Sequence, residues 1–175
     1  MTSRSRSDAR SDARSDAKNA QALLDDTARL VLTAQSQAKA AHWSTASFAV
    51  HTATDELAEA LGSSGDQLVE SLSGLLALRV SRALVARPCF PQTSAMLRSS
   101  PRRTTVRDPD DAFRGLIDAM VWFLSSTFER RLTMGGAIGA SSGSTPHRPS
   151  VVSVLSVRDE LVLALAKAQY VMSLR

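Results

Sequence analysis

Two histidines and four carboxylates offer most of the chemistry in this sequence. His42 and His51 bound the run His42-Trp43-Ser44-Thr45-Ala46-Ser47-Phe48-Ala49-Val50-His51, and Asp55, Glu59, Asp66 and Glu70 follow it. On a helix, His51, Asp55, Glu59, Asp66 and Glu70 share one stripe about 100° wide. Imidazole combined with carboxylate suits iron, manganese or zinc. Inward-facing Glu and His side chains on neighbouring helices also build di-iron sites in helical bundles. The same residues read equally well as a solvated acidic face with a histidine capping one end. An intra-chain site would use His51 with Asp55 and Glu59, one and two turns further along.

The elements that must position these residues are helical. The chain has 175 residues, 43% hydrophobic and 22% charged, which suits one domain with a sizeable core. Aromatics are 5%, few for a sheet protein, and no strand pattern competes. Mixed three-, four- and seven-residue apolar steps through Leu23, Leu30, Ala34, Ala38 and Ala41 predict a first helix over about 19–43. Ser47 can cap a second over about 47–86, built on Phe48, Leu57, Leu61, Leu68 and Leu72. Gly62 and Gly65 predict a kink or break within it, since each glycine costs about 1 kcal/mol in a helix interior. Pro109 in a first turn rich in acids opens a third helix over about 109–132, and a fourth covers about 151–174. Residues 87–108 and 133–150, rich in Pro and in Gly/Ser, read as long loops. Trp43 and Trp122 read as core or interface aromatics.

The charge is segregated. Residues 1–18 carry five bases and three acids in a Ser-Asp-Ala-Arg repeat. From Ser7 to Lys18 no acid stands three or four residues from a base, while the bases stack at four-residue steps. A helix there gains no ion pairs and suffers repulsion, so a flexible tail is expected. Residues 19–78 carry seven acids and two bases, whereas Arg79 to Arg107 holds seven arginines and no acid. Such a block suits phosphate contacts, with Arg98, Arg102, Arg103 and Arg107 as the candidates. No apolar stretch reaches the roughly 20 residues of a membrane span, and the polar start lacks a signal-peptide pattern. Cys89 is the single cysteine, which suits a reducing compartment. Intracellular or virion residence is expected, not secretion.

The histidine run resembles a family. A His-Trp pair ending the first helix, a second histidine opening the next, and an Asp-x-x-x-Glu pair beyond it resemble the Dps-like miniferritins. A ferritin-like family found largely in giant DNA viruses is similar too: its pattern His-Trp-x-Thr-x-Ser-Phe-Ala-x-His is met from His42 to His51 at every fixed residue. The segment from Val157 to Leu174 resembles that family's last helix. The two histidines stand closer together than in the miniferritins. The resemblance implies an all-α, ferritin-like four-helix bundle with metal ligands His42, His51, Asp66 and Glu70.

Geometry constrains that ligand set. Along a straight helix His51 and Asp66 stand roughly 22 Å apart, too far for bonds of about 2 Å to share an ion. They can meet only if two copies of the second helix pack antiparallel, and two-fold symmetry then generates two equivalent sites. The functional expectation is Dps-like iron binding in a homo-oligomer, extending to ferroxidase chemistry, with manganese or zinc as alternative metals. The alternative is a non-enzymatic virion or genome-associated helical bundle without metal, binding nucleic acid through its tail and arginine block. A pure oligomerisation scaffold is the third reading. No membrane partner is expected.

Overall fold

A computed structural model describes residues 6–85, 109–134 and 149–174, and every regular element among them is helical. In chain order these are α1 (Arg6–Ser44), α2 (Phe48–Ala60), α3 (Asp66–Leu76), α4 (Arg82–Val85), α5 (Pro109–Trp122), α6 (Phe128–Met134) and α7 (Val151–Ser173). A π-helical turn, Leu61–Gly65, joins α2 to α3, and another, Phe123–Thr127, joins α5 to α6. Backbone dihedrals stay right-handed helical at both ends of each turn, so α2–α3 and α5–α6 are two continuous rods.

Local chemistry explains most boundaries. Ser47 adopts an extended conformation and its hydroxyl accepts the Val50 N–H, starting α2. Ser150 does the same for Ser153 at the head of α7. The second helix was expected to reach residue 86 but ends at Leu76. There Ala77 is left-handed at φ 54°, with Leu78 N–H donating to the Ser73 carbonyl and Ala77 N–H to the Gly74 carbonyl. That pair of bonds is a Schellman cap. Leu78 and Val80 continue the apolar pattern beyond it because they pack on the core from a non-helical segment.

Helix α1 begins at Arg6, so the stretch expected as a flexible tail is helical from there on, with residues 11–19 exposed. Propagation from the packed part of α1 adds one hydrogen bond per residue without a new nucleus. Ala, Arg and Lys are good helix formers, which offsets the like-charge stacking.

The rods surround one core in which Leu23, Leu24, Leu61, Leu68, Leu72, Ile117, Met120, Leu124, Phe128, Leu161 and Leu165 are fully buried. Pairings across the core give the directions. Val31 and Gln35 face Gly65 and Gly62, making α1 antiparallel to α2–α3. Glu56 bonds Lys167 and Gly74 meets Pro149, making α7 antiparallel to the same rod. Glu129 pairs with Arg158 and Asp118 with Gln169, so α7 is antiparallel to α5–α6 as well. The two rods are therefore parallel to each other. The end of α3 and the start of α5 consequently lie at opposite ends of the assembly. Asp26 bonds Arg131 at 2.8 Å, tying α1 to α6.

The expected kink at the glycines is a π-turn instead. A Cβ on Gly65 would stand 2.7 Å from Val31 Cγ1, and one on Gly62 would stand 2.9 Å from the Gln35 amide nitrogen. At Gly65 the two helix surfaces come too close for a side chain, whereas at Gly62 the flexible Gln35 tip can move aside.

No helix among the described residues is long and apolar enough to cross a membrane. Ala77→Gly should stabilise the protein by about 1 kcal/mol, because an L-residue pays that much for the left-handed conformation and glycine does not. Urea denaturation would show this as a higher midpoint at unchanged slope.

Candidate functional site

The connection between α1 and α2 spans three residues, Thr45 to Ser47. Thr45 N–H closes the last turn of α1 on the Ala41 carbonyl, and the Thr45 hydroxyl accepts the Ser47 N–H. This tight reversal brings His42 and His51 face to face. Their rings stack with centroids 3.8 Å apart and planes inclined by 28°.

The two residues hold each other reciprocally. His42 Nδ1–H donates to the His51 carbonyl at 3.2 Å, and His51 Nδ1–H donates to the His42 carbonyl at 3.0 Å. A carbonyl oxygen can only accept, so both rings carry their proton on Nδ1. In the neutral rings each Nε2 then keeps its lone pair. Fixing the tautomer through a backbone carbonyl is how proteins orient metal-binding histidines. The same bonds also lock the helix reversal with no ligand present. Asp55 Oδ1 stands 3.8 Å from His42 Nδ1.

A groove of about 500 Å³ runs from His42 between α1 and α2, lined by Gln35, Lys39, His42, Trp43, Asp55 and Glu59 among others. Asp55 and Glu59 therefore share a surface with His42. Asp66 and Glu70 do not. They lie exposed on α3, beyond the π-turn and about 22 Å along the rod from His51. Among the described residues no three His, Cys, Asp or Glu side chains converge to hold a metal ion. One chain thus brings together the two histidines and Asp55, and leaves the Asp66 and Glu70 pair apart. Arg98, Arg102, Arg103 and Arg107 lie outside the described residues.

Trp43 is not a core aromatic of the single chain, which leaves the interface half of its expectation, and the expectation for Phe48 changes. Trp43 is 78% exposed at the rim of the groove, and Phe48, expected on the buried stripe of the second helix, is 84% exposed. Both flank the α1–α2 reversal, at the end of the helix pair. Sequence reading also missed the groove side chains Lys39 and Gln35. They come from α1, and only the packing of α1 on α2 sets them opposite Asp55 and Glu59. The stacking and mutual bonding of the histidines had one available signal, their short separation across a reversal.

The tautomer is directly measurable. Long-range ¹H–¹⁵N spectra of the metal-free protein should show Nδ1–H imidazole for both His42 and His51, and His51→Ala should release His42 into the mixed tautomers of a solvated ring. Compared with family models, curated proteins and solved structures, the chain finds no match.

Proposed function

We propose that the chain is a ferritin-like four-helix bundle that binds iron(II) between two copies and supports its oxidation. The histidine pair carries this reading, since both Nδ1 atoms are committed to backbone carbonyls and both Nε2 lone pairs are left to a ligand. The helix directions support it too. A single long crossover between the second and third rods is the connection that ferritin-like bundles use. Among the described residues, the ligands of one chain do not close around an ion. A second copy, packed antiparallel along α2–α3, would bring its Asp66 and Glu70 to the His42 and His51 of the first. Iron(II) is then the substrate, and dioxygen or peroxide the oxidant that takes its electrons.

A metal-free reading has its own observation: the reciprocal histidine bonds are complete as a clamp on the helix reversal. In that reading the protein is a non-enzymatic virion or genome-associated bundle. The arginine block with Arg98, Arg102, Arg103 and Arg107 then contacts nucleic-acid phosphates, and binding weakens steeply with salt.

Protein purified without chelator and titrated anaerobically with iron(II) separates the two. The proposed site requires about one iron per chain, by the symmetry of a shared pair of sites, and oxidation when oxygen is admitted. His42→Ala with His51→Ala should weaken binding roughly tenfold or more. Co-refolding that variant with Asp66→Ala/Glu70→Ala should restore part of the activity, because one of the two sites in a mixed pair regains all four ligands. Absence of iron binding by the wild type gives the metal-free reading. Iron oxidation by the wild type with a dead mixture gives a site within one chain, built around His51, Asp55 and Glu59.

A further inference from the structure

Helix α7 turns one face to the core through Val154, Val157, Leu161, Leu165, Ala168 and Met172, and its opposite face mixes exposed apolar and polar side chains. Val152 is 76% exposed, Leu163 73%, Tyr170 65% and Leu174 68%. Ser156, Asp159 and Lys167 are exposed between them. At about 100° per residue these seven side chains fall within roughly 40° of Leu163. Isolated exposed apolar residues are ordinary, but a row of them along one helix marks an interaction surface.

The order of residues in this row says what fits it. Counted from Leu163, Asp159 and Lys167 stand four residues away on either side, Ser156 and Tyr170 seven, and Val152 and Leu174 eleven. Positions on a helix face are always symmetric about a residue at its centre, so the residue types at the opposed positions decide what fits. An antiparallel copy of the same helix, related by a two-fold axis at Leu163, sets Leu163 against itself and Asp159 against Lys167 in both directions. It sets the Tyr170 hydroxyl by Ser156, and Val152 by Leu174. Parallel in-register packing would instead oppose Asp159 to Asp159 and Lys167 to Lys167, which like charges disfavour. In the single chain Lys167 pairs with Glu56 at 2.6 Å and Asp159 with Arg158 at 2.7 Å. All but Arg158 are largely solvent-exposed, and such surface pairs cost little to rearrange.

We infer that the outer face of α7 is an interface with a second copy of this chain, formed by antiparallel two-fold packing of α7 on α7 centred on Leu163. The contact is isologous, so it closes on itself and leaves no free complementary patch. It lies on a different helix from the α2–α3 pairing of the proposed iron site, and does not depend on it.

Light scattering on the full chain tests the interface. Leu163→Glu puts two like charges against each other on the axis, and should halve the molar mass while leaving the circular dichroism unchanged, because Leu163 is largely exposed on the monomer. The melting temperature should fall only by the lost linkage and cease to depend on protein concentration. An unchanged mass overturns the inference. Charge exchange tests the direction. Asp159→Lys alone or Lys167→Asp alone should raise the dissociation constant roughly threefold to tenfold, from two symmetric surface pairs turned repulsive. The double variant restores opposite charges at both pairs and should return it towards the wild-type value. If the double variant is as weak as the sum of the singles, the antiparallel register is wrong. Histidine variants that abolish iron binding should leave the mass lost through Leu163→Glu unaffected, so the two proposals fail independently.

Discussion

Helix α1 lies close against the α2–α3 rod because Gly65 presents no side chain to Val31, while at Gly62 only the movable tip of Gln35 is near. That approach sits at the middle of the longest helix pair, and much else follows from it. With the two axes held close there, the reversal at Thr45 to Ser47 needs only three residues. A reversal that short forces the last turn of α1 and the first turn of α2 into contact. The histidines stack because they occupy those two turns, and the groove below them is the space between the same two helices. A bulkier residue at position 65 would push Val31 away, and the stiff β-branched side chain has few rotamers in which to yield.

The two π-turns fall in the two rods that run parallel to each other, and both hold buried apolar residues at their wide turns: Leu61 in one, Phe123 and Leu124 in the other. A π-turn displaces backbone carbonyls from their usual partners. Arg158 supplies one replacement, with a guanidinium N–H reaching the Leu124 carbonyl at 3.5 Å while it also pairs with Glu129 and Asp159. Around it the helices are tied by polar links, Asp26 to Arg131, Asp25 to the Ser81 N–H, and Asp118 to Gln169. Carboxylates that look like a loose acidic surface in the sequence thus divide into two groups. Asp25, Asp26 and Asp118 join elements, whereas Asp66 and Glu70 stay exposed on one face of α3.

Helix positions were legible where the local signal and the packing agreed. The third and fourth helices begin at Pro109 and after Ser150 as proline and serine chemistry requires, and the first ends at Ser44, where serine and threonine compete for the backbone. Legibility failed at three places for three reasons. The repeat from Arg6 is helical because propagation from a packed helix overrides weak repulsion between exposed charges. The second helix stops at Leu76 although the apolar pattern runs on, because Leu78 and Val80 reach the core from a different backbone path. The glycines between Leu61 and Asp66 widen the helix by one hydrogen-bond step without breaking it, a choice that depends on the neighbour facing them.

The sequence by itself determined that the chain is helical, where four long helices lie, and which residue types could ligate a metal. Those properties rest on 3.6-residue periodicity and on caps, which act within a few residues of each other. It also contained the opposed residue types about Leu163, Asp159 with Lys167 and Val152 with Leu174, which acquire meaning only once that face of α7 is known to point outward. Tertiary structure alone decided which helices are neighbours and in which direction each runs, because these depend on contacts between residues far apart in the chain. It decided as well that His42 and His51 protonate on Nδ1, since the acceptor of each proton is the other's carbonyl across a reversal. And it decided that the rod continues through its glycines, so that the separation of about 22 Å expected along a straight helix holds between His51 and Asp66.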